Sequence, residues 1–169
     1  MASAINTDPD GTTSVTWGPH GKGIAMFDSR GHFAIINVDP DIPKVAANTR
    51  LKGTAAENTA IATHSISYFG TYTVTGTTVT LRMEASSYPN FNGTDQLRNI
   101  VHLNKDELRW IVPAAATGGR VDTARQTPGS GPRFWTPNKH LGILDRIQHD
   151  DQGPGSHCPP GTDARGVGS

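Results

Sequence analysis

The sequence predicts a mainly β protein, a small antiparallel barrel with one short helix set between its strands. Three observations carry that reading. β-branched and aromatic runs recur along the chain up to Val112, several are separated by turns of hairpin length, and a single stretch in mid-chain carries helix signals.

In order, the runs are Thr13 to Thr16, Gly23 to Phe27, His32 to Val38, Tyr68 to Val74, Thr77 to Ala85, Gln96 to Leu103 and Glu107 to Val112. The connections Asp28-Ser29-Arg30-Gly31, Thr75-Gly76 and Asn104-Lys105-Asp106 are too short for a crossover, so they join antiparallel neighbours into a meander. Thr54-Ala55-Ala56-Glu57 reads as a capping box, and good or neutral helix formers continue from Ala55 to about Ser65. A meander of this many strands hides its edges best by closing on itself. A flat sheet packed on the helix is the alternative.

Acidic and basic residues balance at 15 each, which removes the electrostatic footprint of a nucleic-acid binder or a protein held on an anionic membrane. No run is long and apolar enough to span a bilayer, and the first residues lack the order of a signal peptide. The chain therefore reads as soluble and cytoplasmic. The lone Cys158 cannot form an internal disulfide, which agrees with a reducing compartment.

From Thr127 onward, 14 of the last 43 residues are Gly or Pro, against 17 in the 126 before them. The only apolar cluster there is Leu141, Ile143, Leu144 and Ile147, too little to offset the entropy of ordering the segment. The sequence thus divides into a domain over residues 1–126 and a mostly disordered tail over 127–169.

Four separated motifs occur in a characteristic order: Gly18-Pro19-His20-Gly21-Lys22-Gly23, Gly53-Thr54-Ala55-Ala56-Glu57, Tyr68-Phe69-Gly70-Thr71-Tyr72, and Glu84 to Asn90 followed by Gly93 to Arg98. In order and spacing they resemble the lipocalin-like domain family, over about residues 3 to 113. The resemblance implies a calycin-like barrel with a central cavity. Members usually open on a strand with a Gly-Thr-Trp element and close with a strand after the Leu108 to Val112 segment. Here Ser3-Ala4-Ile5 looks like the end of the first, and Gly118 to Gln126 makes a poor last strand. An incomplete barrel is the expectation, with unpaired edges that favour a homo-oligomer.

Alternation places Val79, Leu81, Met83 and Ala85 on one face of their strand and Thr80, Arg82 and Glu84 on the other. Glu84 with Arg98 could form a charged pair at a barrel mouth, serving as a ligand anchor or simply pinning two strands. Tyr68 and Tyr72 share a face with Gly70 between them, which suits either a polar ligand group or a rim of core phenols. The Ser87 to Thr94 connection, with Tyr88 and Asn90, is longer than a hairpin needs and reads as a binding loop or as a loop packed by its own aromatics. The ligand-binding candidates are therefore Tyr68, Tyr72, Glu84, Tyr88, Asn90 and Arg98.

His64, near the helix C-terminus, is the best single acid or base, with Glu84 the other catalytic candidate. His20 and His32 carry no partner pattern. The sequence has no Gly-rich nucleotide fingerprint, P-loop, nucleophile elbow, zincin or Cys-x-x-Cys motif, so no cofactor is expected. No metal site is expected either, because His149-Asp150-Asp151 with His157-Cys158 matches no structural zinc spacing. The leading functional expectation is a cavity for a small, largely apolar molecule. The alternative is a cofactor-free isomerase, cyclase or hydratase acting on a polyketide- or terpenoid-like substrate in the same cavity.

Overall fold

A computed structural model describes residues 2–104 and 107–126. Nine strands form one antiparallel sheet: β1 (Ala2–Thr7), β2 (Thr13–Val15), β3 (Lys22–Phe27), β4 (His32–Val38), β5 (Ser65–Thr75), β6 (Thr78–Ser86), β7 (Asp95–Leu103), β8 (Glu107–Val112) and β9 (Arg120–Gln126). The order across the sheet is β2-β1-β9-β8-β7-β6-β5-β4-β3. From β3 to β9 every strand pairs with its neighbour in sequence, and the helix α1 (Ala55–His64) lies in the long β4–β5 connection. The sheet curls until β1 comes against β3, enclosing its apolar face.

Period-two alternation drives the curling, since each strand has one face to bury. On β4, Phe33, Ile35 and Asn37 point in while Ala34, Ile36 and Val38 point out. Ile35, Val79 and Leu81 are wholly buried, and each such side chain contributes about 1.5–3 kcal/mol. Phe27 sits at the centre of an aromatic cluster, 5.2 Å from Tyr72 and 6.0 Å from Trp110, both edge-on.

The sheet runs open from β2 to β3, so the barrel is incomplete as expected, but both chain ends form the strands that their sequences left in doubt. β1 is a six-residue strand paired along its length with β9, from Ala2↔Arg125 to Thr7↔Arg120. The Gly118 to Gln126 segment contains β9, which also pairs with β8 from Glu107↔Gln126 to Val112↔Val121. Two weak strands form because each supplies the other's missing ladder, something that local propensity does not register. Among the described residues the sheet ends at β2 and β3, which are its two edge strands.

A β-bulge corrects the inward assignment of Ala85. Phe69 pairs with Ala85 but Gly70 pairs with Met83, so Glu84 is the extra residue that the ladder passes over. Met83 therefore stays buried, and Ala85 turns to the outer face beside the half-exposed Phe69. Gly70 permits this, since a Cβ there would run into the Arg82 carbonyl oxygen.

The helix forms as its capping box predicts. Thr54 Oγ1 accepts from the Glu57 amide, and the Glu57 carboxylate accepts from the Thr54 amide at 2.7 Å. Donation from the Ala46 amide, then from Thr54, holds the Glu57 carboxyl below its ordinary range. α1 buries no residue, so it is not a layer packed on a sheet, and the alternative architecture is excluded.

Candidate functional site

Inside the curl lies a cavity with about 70 Å³ of free space, partly open to solvent. Its walls come from the inward faces of β1, β4 at Asn37, β5, β7, β8 and β9, the Thr16-Trp17 segment after β2, Phe91 of the β6–β7 connection, and the β8–β9 loop at Ala115 to Thr117. They are largely apolar, with Trp17, Ile66, Phe91, Trp110, Val112 and Val121 among the lining residues. The β8–β9 loop is tied down by Asn6, whose side-chain oxygen accepts from Thr117 Oγ1 at 2.9 Å while its amide donates to Asp8 at 2.7 Å. Gly119 lets that loop close on β1, because a Cβ there would sit 2.6 Å from the Thr7 carbonyl oxygen.

Among the described residues Arg98 is the one charged residue in this wall, and it is only 3% exposed. It lies opposite Val79 in the β6–β7 ladder, which fixes its inward direction. Nη1 donates to the Leu97 carbonyl at 2.7 Å and Nη2 makes a long contact of 3.5 Å with the Tyr68 hydroxyl, but Nε has no partner. No carboxylate among the described residues pairs with it. A guanidinium so placed leaves much of its donor capacity unused in a low-dielectric pocket. Thr16 Oγ1, in the same wall, is also buried without a partner.

Among the candidates read from the sequence, the structure brings Tyr68 and Arg98 together. Tyr68 stands in the wall, edge-on to Phe91 at 6.1 Å and to Phe33 at 6.2 Å. Glu84 does not join them. It is exposed on the outer face while Arg98 is buried on the inner one, so the expected charged pair does not form. Tyr72 shares the inner face, but it sits deeper in the core with its hydroxyl donating to the Asp28 carbonyl at 2.9 Å. Tyr88 and Asn90 stand behind Phe91 rather than in the wall. Tyr88 meets Phe91 edge-on at 5.1 Å and accepts from the Asn90 amide at 3.1 Å.

His64 closes α1 beside β4, where its carbonyl accepts from the Asp39 amide at 2.9 Å. Its Nδ1 is buried without a hydrogen bond and lies 3.7 Å from Asp39 Oδ2, with the side chain 44% exposed. The Asp39 carboxyl also packs against Gly18, next to the cavity wall at Trp17, and Asp39 Oδ1 accepts from the Asp41 amide at 2.9 Å. His20 pairs with Asp41 at 2.7 Å and His32 with Asp28 at 3.0 Å, both at the surface. Among the described residues no group of three or more His, Cys, Asp or Glu side chains could hold a metal ion, and the tail positions His149 to Cys158 lie outside those residues.

Sequence reasoning missed Trp17, Trp110, Asp39 and the β8–β9 loop. Trp110 had a signal, since it lies two residues from both Leu108 and Val112 on one strand face. Trp17 and Asp39 had none, because turns place them.

The curled antiparallel sheet and its apolar interior define a small calycin-like β protein. Residues 1–126 match the family model for the lipocalin-like domain, and the chain belongs to that family. None of the curated proteins matches the chain. Among the described residues no helix is long and apolar enough to cross a membrane.

Proposed function

We propose that this chain binds a small, largely apolar molecule in the cavity between the Trp17 segment and the β8–β9 loop. The carrying observation is the wall itself, in which aromatic and aliphatic side chains surround a few polar groups inside a barrel-like sheet. Membership of the lipocalin-like domain family supports the reading. The free space is below the several hundred Å³ usual for drug-sized ligands, so the molecule is compact or the Ala115 to Thr117 loop yields to admit it. Trp17 and Trp110 report directly on occupancy. Titration with small apolar acids, alcohols and ketones should change tryptophan emission saturably, and native mass spectrometry of the purified protein should reveal a co-purified molecule. A flat titration across the panel, with an empty protein by mass, would refute the reading.

A second reading has its own observation. The Asp39 carboxylate beside the unbonded Nδ1 of His64 resembles an imidazole held by an orienting acid, and Asp39 lies against Gly18, the chain neighbour of Trp17 in the cavity wall. A cofactor-free isomerase, cyclase or hydratase would use His64 to move a proton while the apolar wall positions a polyketide- or terpenoid-like substrate. Under this reading His64→Ala abolishes turnover and leaves ligand affinity intact, whereas the binding protein shows no turnover to lose.

A further inference from the structure

We propose that the cavity recognises its ligand by an ionised carboxylate held on Arg98, so that the bound molecule is a compact monocarboxylic acid with an apolar tail. This rests on the cavity being the binding site. The guanidinium has two distinguishable edges. Nη1 is tied to the Leu97 carbonyl, whereas Nε has no partner and the adjacent Nη2 has only the long Tyr68 contact. The Nε and Nη2 hydrogens run parallel, and a carboxylate offers two oxygens at matching separation, so the open edge is a fork for that group.

Charge balance selects the ligand class. Among the described residues Arg98 is the only cation lining the cavity and no carboxylate lines it, so one negative charge neutralises the pocket. A phosphate dianion would bury a second charge without a partner, and a neutral head would leave the guanidinium uncompensated. Two hydroxyls of the wall suit the same head. The Tyr68 hydroxyl, which accepts from Nη2, retains its own hydrogen to donate, and the unpartnered Thr16 hydroxyl is a further donor in the wall. Beyond the head, Trp17, Phe91 and Trp110 offer apolar surface for the tail.

The test compares octanoate, 1-octanol and octyl phosphate by tryptophan fluorescence and calorimetry at neutral pH, on the full chain and on Arg98→Met. Octanoate should bind at least about tenfold more tightly than octanol, the usual scale for hydrogen bonds to a charged group. In Arg98→Met the two should converge, with octanol changed less than about threefold. Tyr68→Phe should weaken octanoate and spare octanol, and it serves as the second variant should Arg98→Met fail to fold. Equal binding of octanoate and octanol by the unaltered chain overturns the carboxylate assignment and leaves the apolar cavity standing. Tighter binding of octyl phosphate than octanoate also overturns it. If no probe binds at millimolar concentration, the cavity reading falls and the carboxylate assignment falls with it.

Discussion

Replacing Arg98 by Met should change the stability of the ligand-free protein by no more than about 2 kcal/mol, although the residue is among the most buried of the described residues. Arg98 is 3% exposed, its Nε has no partner and no carboxylate compensates its charge. An unsatisfied buried donor costs about 1–3 kcal/mol, and Met keeps much of the apolar stem while removing that cost. Against this stands the loss of the 2.7 Å bond from the charged guanidinium to the Leu97 carbonyl, about 1.5–3 kcal/mol, while the 3.5 Å contact with Tyr68 contributes little. The balance runs from a loss of about 2 kcal/mol to a gain of about 1.5 kcal/mol. At roughly 4 °C for each kcal/mol in a domain of this size, Tm should stay within about 8 °C of the unaltered chain's in differential scanning calorimetry of ligand-free protein. A loss of more than about 2 kcal/mol would show that the guanidinium is held structurally, through interactions stronger than those two bonds. A buried cation that costs stability is a residue kept for something other than folding.

Leu81→Ala, at a wholly buried position, should cost about 2–5 kcal/mol in chemical denaturation, and a neutral result would contradict the inward register of β6. Gly70→Ala should cost about 2 kcal/mol or more, because its Cβ meets the Arg82 carbonyl at the bulge; unchanged stability would mean the bulge can migrate. Tyr72→Phe should cost about 1 kcal/mol through the lost bond to the Asp28 carbonyl while leaving octanoate binding unchanged, and altered binding would place that hydroxyl in the site. The Asp28 carboxyl is held at about 2, chiefly by the His32 amide, then by the His32 ring. This pKa lies below the ordinary 3.8, so its stabilising effect is complete above about pH 4 and vanishes as pH falls through about 2. An NMR titration of Asp28 with its midpoint near 4 would refute the bond. Truncation after Gln126, where the family match ends, should leave the melting transition in place, and a loss beyond about 2 kcal/mol would overturn the proposed division into domain and tail.

The sequence determined the elements wherever the signal was local. The runs His32 to Val38 and Glu107 to Val112 are the strands β4 and β8 with the same bounds, and the Thr54 capping box starts the helix where its hydrogen bonds require. Those features depend on side-chain alternation and on bonds spanning three residues, both readable along the chain. It also selected Tyr68 and Arg98, although the inward direction of Arg98 comes from its place opposite Val79 in the ladder. Tertiary structure decided the rest. β1 and β9 are weak alone and form through each other, across more than a hundred residues of chain. Which residue a bulge skips depends on its partner strand, so the placing of Glu84 and Ala85 could not be counted off from their own alternation. The lack of a counter-charge at Arg98 is likewise a property of the whole wall. A sequence shows a carboxylate and an arginine of suitable type, but only the curled sheet shows that the carboxylate lies outside and that the arginine faces a largely apolar space.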